Sequence, residues 1–166
     1  MQSEARLQGG EATSRPLAEL LACPPATADL LNGSAQYNEF AFGETVFRQG
    51  DICQGLYVIA SGQLQRRAER LQTRLVLGSV HAGELVELAA ALGDRRHTYT
   101  LVAQTPGSLM MLPMDALGRA FDMYPPLRMQ LLAELAREVS RAYLSGCATR
   151  TAGIRRRAAK VYPIEG

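Results

Sequence analysis

Residues 43–63 read Gly-Glu-Thr-Val-Phe-Arg-Gln-Gly-Asp-Ile-Cys-Gln-Gly-Leu-Tyr-Val-Ile-Ala-Ser-Gly-Gln, and this stretch decides the fold class. Residues 56–60, Leu-Tyr-Val-Ile-Ala, are rich in β-branched and aromatic types without a charge, which predicts a strand. Gly50 and Gly62 stand where a hairpin turn needs a positive φ, which glycine adopts without strain. Two tight turns twelve residues apart predict a compact all-β roll rather than an α/β sheet.

The composition describes an ordinary globular chain. Of 166 residues, 47% are hydrophobic and 20% are charged, and a net charge of +2 does not by itself indicate nucleic-acid or membrane binding. No apolar run reaches the roughly 18 residues of a membrane span, and residues 1–15 lack the apolar core of a signal peptide. We therefore expect a cytoplasmic protein without a membrane partner, with a disordered arm at residues 1–15.

The cysteines and histidines are scattered along the chain. Cys23, Cys53 and Cys147 are odd in number and form no Cys-x-x-Cys pair, which favours reduced thiols over a disulfide or zinc framework. His81 and His97 have no partner ligand at a diagnostic spacing, so we predict neither a metal nor a haem. A metal enzyme on a jelly-roll scaffold needs clustered histidines with a carboxylate, so the sequence favours a binding module over an enzyme.

Other segments extend the β pattern on both sides of the opening stretch. Short helices are predicted at 16–22 and 26–31, the second ending at the Asn32-Gly33 cap. The remaining predicted elements are a half-buried strand at 37–42, a hairpin of 63–67 and 74–77 with a solvated tip at 68–73, a helix at 84–92, strands at 98–103 and 108–112, and helices at 115–124 and 127–144. The arginines assigned to the solvated face of the hairpin are Arg66, Arg67, Arg70 and Arg74.

The long C-terminal helix carries an apolar stripe. Leu132, Leu135, Val139 and Ala142 follow spacings of 3, 4 and 3, which predicts a coiled-coil-like seam of a homodimer. The alternative is a helix that packs on its own roll. Leu131, Tyr143 and Leu144 lie off the stripe and are expected to cover the roll. The arginines after residue 145 predict a solvated basic tail that contacts nucleic acid only weakly.

Two short helices, an eight-strand-like roll interrupted by one helix, and a long final helix form an order that resembles the cyclic-nucleotide-binding domain. The motifs at 42–51 and 56–62 look very like the opening strands of that family, and the match spans about residues 16–145. Within the family, the long helix resembles bacterial regulators of the catabolite-activator and fumarate-nitrate-regulator (CRP/FNR) type. The resemblance implies a mainly β fold: an eight-stranded, double-stranded jelly-roll-like β-roll with flanking helices, a short cassette helix and a long dimer-type helix.

Relatives that bind cyclic nucleotides have a Gly-Glu pair at the start of the cassette helix and an arginine about ten residues later. The helix N-terminus and the arginine bind the cyclic phosphate, and the glutamate accepts from the ribose hydroxyl. Gly83-Glu84 matches in one register. The spacing from Gly62 favours a second register, in which Glu87-Leu88 take the place of the pair.

In the second register the resemblance implies a degenerate pocket. Leu88 replaces the ribose carboxylate, and the phosphate arginine falls at His97, with Arg96 one residue away and turned outward by strand alternation. Tyr99 replaces a small residue. Glu84 and Glu87 are either ligand carboxylates or first-turn acids that interact favourably with the helix dipole. Arg95-Arg96 are either an anion site or part of a solvated loop. The candidate ligand-binding residues are Gly83, Glu84, Leu85, Glu87, Leu88, Arg96, His97, Thr98 and Tyr99.

The function implied by the resemblance is small-effector sensing linked to transcription regulation, in a homodimer. Two alternatives stay open: a non-sensing dimerisation or protein-interaction domain whose vestigial pocket is filled by Leu88 and Tyr99, and a true cyclic AMP or cyclic GMP binder. The 22 residues after Leu144 are too few for a helix-turn-helix domain, so we expect no autonomous sequence-specific DNA binding. The predicted domain occupies 16–145, and residues 146–166 are either a natural tail or a truncated hinge.

Overall fold

The computed structural model describes the backbone of residues 16–159 and the side chains of residues 16–145. The helices are α1 (Leu17–Leu20), α2 (Pro25–Ser34), α3 (Leu88–Leu92), α4 (Met114–Met123) and α5 (Pro126–Ala159). The strands are β1 (Gln36–Phe40), β2 (Thr45–Phe47), β3 (Gly55–Ser61), β4 (Gln63–Arg70), β5 (Thr73–His81), β6 (Leu85–Val86), β7 (Thr100–Ala103) and β8 (Gly107–Pro113). The predicted arm at 1–15, Cys147 and the side chains of the predicted tail lie outside this part of the chain.

The eight strands form two antiparallel four-stranded sheets, which confirms the predicted β-roll. One sheet has the order β1-β8-β3-β6 and the other has the order β2-β7-β4-β5. A hydrophobic core lies between the sheets, because side chains of both sheets pack in one buried cluster. Its members include Phe40, Tyr57, Ile59 and Leu109 from the first sheet and Phe47, Leu64, Val80 and Leu101 from the second.

A second core lies between the helices and the outer face of the first sheet. Side chains alternate along a strand, so β3 directs Tyr57 and Ile59 to the inter-sheet core and Leu56 and Val58 to the helices. Both faces of β3 are therefore covered, which explains why its sequence carries no charge. Leu17 and Leu31 of the N-terminal helices, Leu117 of α4, and Leu127 and Leu131 of α5 complete this second core.

The turns at Gly50 and Gly62 have the predicted positive φ, at 86° and 87°, but neither closes a hairpin. The chain crosses from one sheet to the other at each turn, because β2 and β4 belong to one sheet and β3 to the other. At Gly62 a Cβ atom would lie only 2.8 Å from the carbonyl oxygen of Pro106. The hairpin prediction was wrong because local turn chemistry does not specify which strands pair.

Several element boundaries differ from the sequence predictions. Helix α2 continues through Asn32-Gly33 to Ser34, because Gly33 keeps a helical backbone and Ala35 begins the extended chain. Strand β1 is exposed except at Phe40, so the prediction of a half-buried strand was wrong.

The hairpin of β4 and β5 is longer than predicted, and its tip is only Leu71-Gln72, both with positive φ. The backbone of α5 continues to Ala159, beyond the predicted end at residue 144. Within the described backbone, no helix combines the length and apolarity needed to cross a bilayer.

Candidate functional site

The segment predicted as a single cassette helix divides into a strand and a short helix. Leu85 and Val86 pair with Val58 and Tyr57 of β3, so β6 joins the first sheet and α3 begins only at Leu88. Glu87 lies between the two elements with φ of 72°, in the left-handed region that non-glycine residues rarely adopt. Glu84 precedes β6 and is not a first-turn acid of the helix, so that interpretation was wrong.

Glu87 is buried and accepts three hydrogen bonds. Its side chain is fully shielded from water, and its carboxylate accepts from Nδ1 of His97 at 2.7 Å. It also accepts from the backbone nitrogen of Thr98 at 3.1 Å and from Oγ1 of Thr98 at 2.7 Å. We call His97 Nδ1, Thr98 N and Thr98 Oγ1 the donor cradle. A carboxylate with three donors satisfies the hydrogen-bonding requirement of a buried acid. Glu87 is the N-cap residue of α3 and lies outside its first turn, so its interpretation as a first-turn acid was wrong.

His97 is held in place by the turn at Gly50. Its ring stacks on Phe47 with centroids 3.8 Å apart and planes 8° apart. Its backbone nitrogen donates to Asp51 and its carbonyl accepts from Gly50, both at 2.9 Å. Arg96 is exposed and donates from its guanidinium to the Gly50 carbonyl at 3.1 Å. His97 therefore points inward and Arg96 outward, as strand alternation predicts.

Tyr99 covers the other side of the Glu87 junction. Its hydroxyl accepts from the backbone nitrogen of Glu87 at 3.3 Å, so the N–H that precedes α3 already has a partner. The guanidinium carbon of Arg66 lies 5.5 Å from the Tyr99 ring centroid, within cation–π range. Burial raises the pKa of the Tyr99 phenol above its ordinary value, while the Arg66 charge acts in the opposite direction. Tyr99 therefore remains a neutral phenol at physiological pH.

A groove of about 1940 Å³ runs between the roll and α5. Seven of the nine predicted ligand residues line it: Gly83, Glu84, Leu85, Glu87, Leu88, Thr98 and Tyr99. Arg66 of β4 spans the groove to Glu138 of α5, with nitrogen and oxygen 3.2 Å apart. Burial raises the pKa of Glu138 above its ordinary value, and the charges of Arg66 and Arg141 oppose that shift.

The sequence analysis missed the position of Arg66. It placed Arg66 on a solvated hairpin face, yet the side chain is only 19% exposed. The available signal was alternation: Arg66 follows Leu64 by two residues, and Leu64 is completely buried between the sheets. Arg70 and Arg74, nearer the hairpin tip, are exposed as predicted.

Residues 37–124 match the model of the cyclic nucleotide-binding domain, and this match covers more than half of the chain. The chain belongs to the cyclic nucleotide-binding domain family.

The relatives of this cyclic nucleotide-binding domain include bacterial transcription regulators. It is 25% identical, over 109 residues, to the HTH-type transcriptional regulator Cmr of Mycobacterium tuberculosis, a match that covers 66% of this chain and 45% of the relative. The catabolite activator protein of Thermus thermophilus is 26% identical with a TM-score of 0.68, covering 82% of this chain and 63% of that one. The domain therefore spans less than half of the Mycobacterium tuberculosis regulator and less than two thirds of the Thermus thermophilus protein.

The sensor domain of the regulator DNR from Pseudomonas aeruginosa has the same fold. The TM-score is 0.65 at 23% identity, and the match covers 76% of this chain and 85% of that domain. The architecture is therefore that of CRP/FNR-type regulators, and none of the three relatives is named as an enzyme.

The cyclic nucleotide-binding domain also brings three metal-capable side chains together. Ligand atoms of Cys53, Glu87 and His97 lie within 4.8 Å of one another, and all three residues are buried. The sequence did not indicate this cluster, because the three residues stand at no diagnostic spacing along the chain. The Cys53 thiol donates to the Gly55 carbonyl at 3.0 Å, and burial raises the pKa of that thiol. A metal ion here would have to replace hydrogen bonds that these side chains already make.

The predicted seam of α5 is largely open to solvent in the single domain. Leu132 and Val139 are 36% and 59% exposed, Ala142 is exposed, and Leu135 packs partly against the helical core. Leu131 is buried against the roll, as predicted. Tyr143 and Leu144 are 71% and 65% exposed, so the expectation that they cover the roll was wrong.

Proposed function

We propose that the domain is a small-effector sensor of CRP/FNR type whose ancestral phosphate site is filled by its own Glu87 carboxylate. In this proposal the effector binds in the groove along α5. The observation that carries the proposal is the set of three hydrogen bonds from the donor cradle to Glu87. Effector binding would then change the position of α5 relative to the roll.

The occupied cradle argues against cyclic AMP and cyclic GMP as the effector. In the register with the better spacing, the family's phosphate arginine falls at His97, and His97 and Thr98 already donate to a carboxylate. A phosphate at the same donors would lie beside a buried anion of like charge. Leu88, which takes the place of the ribose carboxylate, is 2% exposed and offers no acceptor.

The position of the groove supports a role in ligand response. Its walls come from the roll on one side and from α5 on the other, and the Arg66–Glu138 ion pair connects them. A ligand that contacts both walls binds one arrangement of α5 better than another, and this difference shifts the population toward the preferred arrangement. The apolar stripe of α5 would transmit that shift to a homodimer partner and, in a longer regulator, to transcription.

Thermal unfolding and calorimetric titration with cyclic AMP, cyclic GMP and cyclic di-GMP test the proposal. A ligand at about 100 times its Kd stabilises the folded state by about 2.7 kcal/mol, which is readily detected. We expect no saturable stabilisation by cyclic AMP or cyclic GMP, whereas a groove effector found by screening should raise the melting temperature and alter dimerisation. Saturable binding of cyclic AMP to the wild-type domain would contradict the filled phosphate site.

A second candidate function is a dimerisation domain that senses no ligand. The buried Leu88 and the half-buried Tyr99 favour it, because they fill space that relatives with a cyclic nucleotide leave to the ligand. The discriminating result would be a stable dimer whose melting temperature and association constant respond to no compound in a diverse effector screen.

A further inference from the structure

Arg66 lies on the floor of the groove with incomplete hydrogen bonding. Its guanidinium lies between the Tyr99 ring, 5.5 Å from the centroid, and Glu138, 3.2 Å away. The Nε atom is buried and has no hydrogen-bond partner among the described residues. A guanidinium carries five N–H donors in a planar fork, and a buried donor without an acceptor is unfavourable. The side chain therefore retains capacity for an additional acceptor.

Glu138 is the internal competitor for this guanidinium, and burial opposes its ionised form. Burial raises its pKa, so the surroundings disfavour the ionised form that Arg66 would pair with. The other two arginines that line the groove share a carboxylate whose ionised form is favoured, unlike that of Glu138. Arg137 and Arg141 each lie 3.0 Å from an oxygen of Glu134, and these contacts lower the pKa of Glu134. Arg66 is therefore the groove arginine best placed to receive an anion from outside.

The aliphatic residues that line the groove indicate the apolar part of the ligand. About half of the residues that line the groove are aliphatic, and they come from both the roll and α5. They include Leu75, Leu77, Leu88, Leu131, Leu135 and Val139. Such walls bind an apolar body, while a single buried cation fixes the position of one anionic group.

We propose that Arg66 is the anion-recognition residue of the effector site. The ligand class is a small organic anion with an apolar body, whose carboxylate or phosphate binds Arg66 in place of Glu138. This inference rests on the proposed function, because it assigns the ligand of the same groove. It places the recognition charge on β4, whereas the related cyclic-nucleotide binders carry it after the cassette helix. Release of Glu138 breaks the ion pair between α5 and β4, and α5 can then change its position on the roll.

The experiment compares two probes of nearly the same shape, one anionic and one neutral: naphthalene-2-carboxylate and naphthalene-2-carboxamide. Binding is measured by calorimetry and by ligand-observed NMR on the full 166-residue chain. We expect the carboxylate to bind roughly tenfold tighter than the amide, because a charge-assisted hydrogen bond to a partly buried guanidinium is stronger than a neutral one. Arg66→Met keeps the aliphatic stem and should abolish the preference.

Three further variants define the controls. Arg67→Met, on the opposite face of the same strand, should keep the preference. Arg66→Lys retains a charge and should keep part of it, which guards against a folding defect in Arg66→Met. Glu138→Gln removes the competing carboxylate and should tighten carboxylate binding severalfold.

Three outcomes would overturn the inference. If both probes bind wild type equally, or if Arg66→Met retains the preference for the carboxylate, Arg66 does not recognise the anion and the groove can still be an effector site. If neither probe binds up to its solubility limit, the groove fails as a site for aromatic effectors, and this result counts against the proposed function as well.

Discussion

Nδ1 of His97 lies 2.7 Å from a carboxylate oxygen of Glu87, and the two side chains are only 2% and 0% exposed. The pair connects the junction of β6 and α3 to the residues that lead into β7. Removal of one partner of such a pair leaves the other polar group buried without compensation. The pair therefore makes the fold of the cassette segment depend on a single carboxylate.

We predict that Glu87→Ala destabilises the domain by about 1–3 kcal/mol or more, because it leaves three buried or partly buried donors without their acceptor. The free energy of unfolding from urea titration measures the loss. Glu84→Ala is the matched control, because Glu84 is 46% exposed three residues earlier in the chain. The control should change stability by less than about 0.5 kcal/mol. Similar small losses for both variants would contradict the structural role of the pair.

The buried phenol of Tyr57 should make the folded state less stable at alkaline pH. Burial raises its pKa to about 12, and the charges of Cys53 and Glu87 add to the shift. The folded state therefore binds the phenolic proton more tightly than the unfolded chain, and stability falls as pH rises from about 10 towards 12. Tyr57→Phe should avoid roughly 1 kcal/mol of that loss by pH 11.

Urea midpoints between pH 9 and pH 11 measure this difference. Tyr37→Phe, which alters a side chain that is 69% exposed, is the control and should follow the wild-type profile. A Tyr57→Phe curve parallel to wild type over the whole range would rule out the buried phenol as the cause.

Two glycine substitutions should change stability in opposite directions. A Cβ atom at Gly55 would collide with the carbonyl oxygen of Leu112 and lie 2.7 Å from the sulfur of Met111. Gly55→Ala should therefore destabilise the domain by about 1–3 kcal/mol through overpacking. Gly118 lies inside α4 with no atom within 4 Å of an added Cβ, so Gly118→Ala should stabilise by about 0.5–1 kcal/mol. Thermal unfolding of both variants would refute this prediction if the signs agreed.

The apolar stripe of α5 predicts a homodimer that a single introduced charge should disrupt. Val139→Asp places a charge at the centre of the stripe and should shift the domain to monomer, because an unpaired carboxylate is costly in an apolar interface. Ser140→Asp adds the same charge at an exposed neighbouring position outside the stripe and should leave association unchanged. Sedimentation equilibrium of both variants makes the comparison. Equal effects, or a monomeric wild type, would count against the seam.

The sequence predicted the architecture well and the site incompletely. The residues around Gly50 and Gly62 indicated strands and turns, because local propensity and turn chemistry are recorded in adjacent residues, and the family came from the resemblance of the motifs at 42–51 and 56–62. They could not indicate that both turns cross between sheets, since pairing partners such as β2 and β7 are more than 50 residues apart. Strand pairing is a property of the whole roll.

The assignment of ligand-binding residues stays a prediction, although most of the segment chosen from the sequence lies at the groove. The spacing argument selected Glu87 and His97, which contact each other, but only Glu87 lines the groove, and Arg96 points outward as alternation predicts. The hydrogen bond between Glu87 and His97 was not predicted, because a left-handed non-glycine residue leaves no sequence signal. Arg66 was assigned to solvent because three further arginines nearby suggested a uniformly solvated hairpin.

The left-handed backbone of Glu87 links conformational strain to ligand chemistry at one position. A non-glycine residue at φ of 72° costs of order 1 kcal/mol, which a glycine would not incur. Glu87→Gly would therefore relax the backbone and remove the internal anion in a single step, leaving the donor cradle without its occupant. We expect this variant to be more stable than Glu87→Ala and to gain weak affinity for inorganic phosphate. Phosphate titration of Glu87→Gly followed by NMR measures this gain, and no binding by the folded variant would contradict the proposal that Glu87 occupies a phosphate site.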